Sequence, residues 1–192
     1  LEKNKLDGID LDFEWAENEK EYKDYSLAIL KMREVLGDKY LFSVSLHPVC
    51  YKISKEAIEA VDFISLQCYG PSPVRFPIEK YCSDIQMVLE YGIPREKLVA
   101  GVPFYGVTKD NSKKTEAYFN FVQNGLVTSP AQNEVIYQGD TYVFDGQDNI
   151  RIKTRYAKEQ KLKGMMSWDL ATDLPLSDSR SLLKTMTEEL RE

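Results

Sequence analysis

The stretch "LDGIDLDFEW", Leu6–Trp15, sets four carboxylates, Asp7, Asp10, Asp12 and Glu14, among apolar residues. Side chains on a strand alternate between faces, so Asp10, Asp12 and Glu14 share one face while Ile9, Leu11 and Phe13 share the other. If the apolar face packs on helices, the acids look into a barrel or over the carboxyl-terminal edge of a sheet, where α/β folds hold their sites. Like charges at this spacing repel, and repulsion with partial burial raises the pKa of at least one of them. Glu14, the outermost and longest, is the candidate general acid, with Asp12 orienting it or sharing its proton. Two other readings compete: a wet strand face, and an oxygen-bound magnesium or calcium site. The Asp-Gly entry, Trp15 at the exit and the βα context exceed what a wet face requires, and acids from a single strand converge poorly on one ion.

Outward from this strand, Glu17 to Leu36 carries a roughly helical apolar pattern that Gly37 is placed to end. "YLFSVSLHP", Tyr40–Pro48, alternates Phe42, Val44 and Leu46 with Ser43, Ser45 and His47, a strand with one apolar face. "AVDFISLQCYG", Ala60–Gly70, is a further strand, and Pro77–Gly92 is a helix opened by proline and closed by glycine. "KLVAGVPFYG", Lys97–Gly106, and "KGMMSWDL", Lys163–Leu170, are the last core strands, the latter preceded by a helix over about Asn149 to Lys161. Strands alternating with helices predict a parallel sheet in an α/β domain. "NEVIYQGDTYVFDG" reads as a hairpin around a Gly-Asp turn, a short insertion on a βα loop. With no linker or repeat, residues 1–192 read as a single domain. Five core strands are too few for a closed (β/α)₈ barrel, so the chain is an open doubly wound sheet or part of a barrel.

Hydrophobic residues make up 43% and charged residues 29%, the balance of a folded globular chain. The formal net charge of −6 argues against a nucleic-acid partner. There is no apolar run long enough for a membrane span and no visible leader. The single histidine, His47, excludes a His-rich zinc site, and no cofactor motif is present. Cys50, Cys68 and Cys82 are too widely spaced for a CxxC motif, leaving open one bridge plus a thiol or three thiols.

"DGIDLDFE" resembles the fourth-strand signature Asp-Gly-x-Asp-x-Asp-x-Glu of the family 18 glycoside hydrolases, the chitinases and their relatives, at Asp7, Gly8, Asp10, Asp12 and Glu14. "SLQCYG" resembles the sixth-strand motif carrying Tyr69 with Gln67 before it. "KLVAGVPFYG" resembles the seventh-strand Gly-x-Pro-x-Tyr-Gly, and "GMMSWDLATD" the eighth-strand segment whose Trp168 floors a sugar subsite. The resemblance implies a (β/α)₈ TIM barrel, here incomplete, strands four to eight with a short hairpin insertion after strand seven.

It also implies chemistry: hydrolysis of β-1,4 bonds in N-acetylglucosamine polymers by a retaining, substrate-assisted mechanism. Glu14, Asp12, Asp10 and Tyr69 would be catalytic, Gln67, Trp168 and Tyr105 would bind substrate, and neither metal nor cofactor is needed. Tyr105 could instead pack the barrel, His47 reads as a structural or rim residue, and Cys68 should lie between sheet and helix. The partner would be an oligo- or polysaccharide containing N-acetylglucosamine, met outside the cell or at its surface. An endo-β-N-acetylglucosaminidase acting on N-glycans or peptidoglycan, or a non-catalytic chitinase-like lectin, are the alternatives. Two departures bear on substrate choice: Gly70 stands where many members have Asp or Asn, and Val107 where an Arg is frequent. The isolated chain is expected to be inactive.

Overall fold

A computed structural model of the chain describes residues 1–13, 15–70, 72–110 and 113–191. Strand β1 (Gly8–Asp12) leads through α1 (Glu19–Leu36) to β2 (Leu41–Leu46), and α2 (Lys55–Ala60) leads to β3 (Phe63–Leu66). Helix α3 (Ile78–Tyr91) precedes β4 (Leu98–Pro103). A second group of elements follows, comprising β5 (Tyr105–Thr108), β6 (Thr115–Ala117), α4 (Tyr118–Gln123), β7 (Glu134–Tyr137) and β8 (Asp140–Val143). The chain closes with α5 (Gln147–Glu159), β9 (Gly164–Trp168) and α6 (Leu182–Arg191). The result is an α/β fold in which β1-β2-β3-β4-β9 form one parallel sheet of five strands.

The sheet is two-faced, as alternation dictates. Phe42, Val44 and Leu46, Ile64 and Leu66, and Leu98, Ala100 and Val102 are all buried in the core against the helices. Cys68 joins that layer as expected, and burial pushes its thiol pKa far up. All three cysteines are free thiols. The residues between, Ser43, Ser45, Ser65 and Gln67, face the other way. Local signals place the helices: the Asn18 side chain accepts the Glu21 N–H at 3.0 Å to start α1, and Gly37 ends it at φ 59°. Helix α3 runs between Pro77 and Gly92, inside the bounds read from sequence, whereas α5 starts at Gln147, ahead of the expected Asn149.

The insertion is larger than the short hairpin expected. The hairpin is there, β7 with β8, but its turn is Gln138-Gly139, both at positive φ, and not Gly-Asp. Strands β5 and β6 extend it to a four-stranded antiparallel sheet, β6-β5-β8-β7. The run Lys97–Gly106 is therefore not one strand. Phe104 is fully buried and donates its N–H to the Trp168 carbonyl at 2.8 Å, and from Tyr105 the chain turns away to pair with Thr115–Ala117. Phe121, Tyr142 and Phe144 from this unit join the same continuous core as the parallel sheet. No helix among the described residues is long and apolar enough to cross a membrane.

Two buried carboxylates, Asp145 and Asp84, hold cations. Lys153 of α5 meets Asp145 at 2.5 Å with both side chains fully buried, and its ammonium sits over the rings of Tyr81, 5.3 Å, and Phe76, 5.9 Å. Burial pushes the Asp145 carboxyl pKa up, and the Lys153 charge opposes that shift. The buried Asp84 of α3 takes Arg75 at 2.9 Å and also Lys80. Removing one partner of the first pair strands a buried charge, so Asp145→Ala should cost about 3–5 kcal/mol in urea unfolding, while Asp145→Leu with Lys153→Met should recover most of the loss. If the double variant is no more stable than the single one, the pair is not the source of the cost.

Candidate functional site

Above the polar face of the parallel sheet lies a cleft of about 800 Å³. Asp10 and Asp12 of β1, Ser43, Ser45 and His47 of the β2 segment, and Gln67 and Tyr69 after β3 line one side of it. Tyr105, Met166 and Trp168 line the other, with Trp15 at the β1 edge. Parallel register explains the grouping, because Asp10 pairs with Ser43, Asp12 with Ser45, and Ser45 with Ser65. Partners in a ladder point to the same side.

Each acid is held by a donor. Asp10 accepts the hydroxyls of Ser43 at 2.5 Å and Ser45 at 2.8 Å, which braces β1 to β2. Asp12 accepts the amide N–H of the buried Gln67 at 3.2 Å. From the helical side Tyr25 donates its hydroxyl to the Leu11 carbonyl at 3.2 Å; burial, with the Asp10 and Asp12 charges adding to it, pushes that hydroxyl pKa up. Glu14 lies outside the described residues. Asp10 and Asp12 of β1 both line the cleft, on the one face that alternation predicted for them.

Tyr69 is buried, with its hydroxyl on Met166 Sδ at 3.6 Å and its ring edge-on to Tyr105, centroids 6.4 Å apart. Phe76, whose ring carries the Lys153 ammonium over it, meets Tyr105 in the same edge-on manner, centroids 6.4 Å apart. Tyr105 thus lines the cleft and also packs its wall. Trp168 ends β9 at the cleft with 55% of its surface exposed, and its peptide bond to Asp169 is cis. His47 is buried at the cleft, its Nε2 3.0 Å from the Tyr69 carbonyl, so it does more than border a rim. Ser43, Ser45 and Met166 also line the cleft, as do Ser65 and Ser167. The parity of Ser43 and Ser45 with His47, and of Met166 with Trp168, was the available signal. Among the described residues no group of three or more His, Cys, Asp or Glu side chains is placed to hold a metal ion.

With this geometry in view, comparison with known proteins is decisive: the profile of Glycosyl hydrolases family 18 matches residues 1–173. The chain belongs to glycosyl hydrolase family 18. A probable chitinase 2 of Drosophila melanogaster is 23% identical, the match covering 90% of this chain and 49% of that protein. Among solved structures, the GH18 chitinase ChiB from the chitin utilization locus of Flavobacterium johnsoniae superposes with a TM-score of 0.79 at 28% identity, over 98% of this chain and 61% of that one. A GH18 chitinase from Cycas revoluta in complex with (GlcNAc)3 superposes at 0.77 with 18% identity, over 98% and 69%, and shares the fold. The chain spans about half the length of the Drosophila relative.

Two glycines at this family 18 cleft differ in what they permit. A Cβ on Gly101 of β4 would stand 2.8 Å from the Leu66 carbonyl oxygen, 2.9 Å from the Tyr69 ring and 3.0 Å from Met166 Cε. Gly101 therefore makes the room that Tyr69 occupies. A Cβ on Gly70 would meet nothing closer than His47 Nε2 at 3.4 Å, an ordinary contact. Gly101→Ala should cost about 1–3 kcal/mol by overpacking, whereas Gly70→Ala should stay within about 0.5 kcal/mol. Urea midpoints of both variants check the contrast, and equal midpoints would contradict it.

Proposed function

We propose that this chain carries the acid-bearing part of the catalytic barrel of a retaining glycosidase that cleaves β-1,4 bonds of N-acetylglucosamine polymers. The observation behind this reading is that Asp10 and Asp12 point into one cleft with Gln67, Tyr69, Tyr105 and Trp168, in the strand order of the family motifs. The chitinase names of the relatives and the (GlcNAc)3 complex of the Cycas protein support the glycan class.

In this mechanism Glu14 protonates the leaving glycosidic oxygen. The substrate's own acetamido oxygen attacks the anomeric carbon and gives a cyclic oxazolinium ion. Water then opens that ion with Glu14 as base. Asp12 accepts the acetamido N–H and offsets the positive charge growing on the ring. Asp10, fixed as an acceptor by two serine hydroxyls, tunes the proton that Asp12 holds. Tyr69 holds the acetamido oxygen in line for attack, an orientation effect. Trp168 offers an apolar face to the sugar's C–H groups, with Gln67 and Tyr105 on its flanks.

The five parallel strands would be strands four to eight of an eight-stranded barrel, with residues 1–192 one part of that single domain. The edge position of β1 supports this, because Ile9 on it and Phe13 just after it are exposed. Further strands pairing with β1 and β9 would cover them, and without those strands the chain by itself would turn over little substrate. The polymer lies outside cells or at their surface, so the enzyme would act there.

The test is hydrolysis of chito-oligosaccharides, an N-glycopeptide and peptidoglycan by the complete eight-stranded domain carrying this chain and by its Glu14→Gln variant. Chito-oligosaccharides should be the best substrate, with Glu14→Gln slower by about 10²–10⁴-fold, the span of general acid catalysis. Turnover by the variant within a few-fold of the parent rejects the acid assignment. Preference for the N-glycopeptide moves the reading to an endo-β-N-acetylglucosaminidase, and binding with no turnover by either form makes the protein a lectin.

A further inference from the structure

The single histidine of the chain is buried at the cleft, and nothing in the proposed chemistry uses it. Its backbone is spent on a turn of its own. His47 donates its N–H to the Cys50 carbonyl at 3.3 Å and accepts the Cys50 N–H at 2.7 Å, and Pro48 after it has no N–H to offer. The parallel ladder therefore ends at Leu46 on the β2 side. It also breaks on the β3 side. Gln67 donates its N–H to the Leu46 carbonyl at 2.8 Å as the last rung, and Cys68 turns its N–H back to the Leu66 carbonyl at 2.9 Å. Tyr69 stands just past that break, beyond the end of the ladder.

The imidazole spans the gap. Its Nε2 lies 3.0 Å from the Tyr69 carbonyl oxygen. A carbonyl only accepts, so this nitrogen carries the proton, and Nδ1 accepts the Val49 N–H at 3.4 Å, the arrangement of a neutral ring. The Trp15 indole lies against the same imidazole, centroids 5.4 Å apart and tilted by 43°. The donor is thus held by its own turn, by Nδ1 and by the indole, and it supplies the bond that a strand amide makes elsewhere in the sheet.

The Tyr69 side chain is fixed by softer contacts. Its ring meets Tyr105 edge-on, its hydroxyl meets Met166 Sδ at 3.6 Å, and Gly101 leaves the space it fills. Contacts with rings and a thioether confine the phenol sideways better than they set its height above the sheet. That height follows the backbone, and the backbone is tied at its carbonyl to His47. Resting on the mechanism above, in which Tyr69 holds the acetamido oxygen in line for attack, we propose that His47 is a positioning residue for Tyr69. Its Nε2–H replaces the missing rung beyond the β2–β3 ladder and sets how far the phenol reaches into the cleft.

The experiment uses the complete eight-stranded domain carrying this chain and compares His47→Asn with His47→Gln. The shorter amide reaches only as far as Nδ1 and the longer one as far as Nε2, so glutamine alone can donate to the Tyr69 carbonyl. On a chito-oligosaccharide, His47→Asn should lower kcat by about 10–10²-fold, the cost of a misplacement on the order of 1 Å, with KM within about threefold. His47→Gln should recover most of that loss. In a Tyr69→Phe background the two variants should differ by less than about twofold, because the hydroxyl that His47 places is gone. A merely structural histidine lowers kcat equally in both backgrounds, so additivity overturns the proposal. If His47→Asn does not fold, His47→Gln decides alone: kcat near the parent's supports the proposal, and a loss of about tenfold or more overturns it, since the donor is in place. Tyr69→Phe as active as the parent rejects the mechanism itself. An impaired Tyr69→Phe beside a fully active His47→Asn spares the mechanism and overturns the role of His47.

Discussion

The register of the parallel sheet is the constraint on which everything else rests. Asp10 pairs with Ser43, Asp12 with Ser45, Ser45 with Ser65, Ser65 with Val99 and Val99 with Gly164, so one face is handed from strand to strand without a break. A slip of β1 by one residue would drive Asp10 and Asp12 toward the layer of Phe42, Val44 and Leu46, which is almost wholly sealed from water. An unpaired carboxylate there costs several kcal/mol. The burial that forms the core therefore also collects the polar side chains at the cleft. The two hydroxyls that Asp10 accepts from β2 reinforce the same register from the polar side.

The cleft wall has its foundation on the opposite side of the sheet's end. Asp145 holds Lys153, the ammonium sits over Phe76, Phe76 meets Tyr105 edge-on, and Tyr105 meets Tyr69 in the same way. A buried ion pair is weak evidence for net stability, since desolvation offsets most of the attraction. Its geometric effect is firmer. A cation fixed between two aromatic faces limits where Phe76 can sit, and so limits the ring that packs behind Tyr69. Gly101 completes the fit by leaving out the one atom that would collide with Tyr69.

Much of this was legible in the chain because the parallel strands obey strict local rules. Phe42, Val44 and Leu46 against Ser43, Ser45 and His47 gave β2 both of its faces, and Pro77 with Gly92 bounded α3. The second sheet was less legible for a physical reason. Its ladders join Val107 to Thr115 and Val143, pairings made across a loop or a helix, and the apolar run Lys97–Gly106 hides the break at Phe104. Helix α2 is a short element started by the Ser54 side chain, too short to show a period. The Lys153–Asp145 pair was invisible because a lysine in a helix reads as solvated. Trp15 and His47 follow different strands, and only the fold brings their rings together.

The two departures from the family pattern acquire a common sense in the cleft. A Cβ on Gly70 would only touch His47 and Arg75, and Val107 is fully buried in the second sheet. Neither position brings a polar side chain to the cleft. The lining sets aromatic rings, Trp15, Tyr69, Tyr105 and Trp168, among short hydroxyls, Gln67 and the carboxylates of Asp10 and Asp12. Rings of this kind grip by shape and by the C–H faces of a sugar, with fewer directed hydrogen bonds than an Arg or Asp would add. Carboxylates in a chain of net charge −6 also repel a polyanion. On the reading proposed above, such a cleft favours a neutral, acetylated glycan, and it disfavours acidic polysaccharides whatever their linkage.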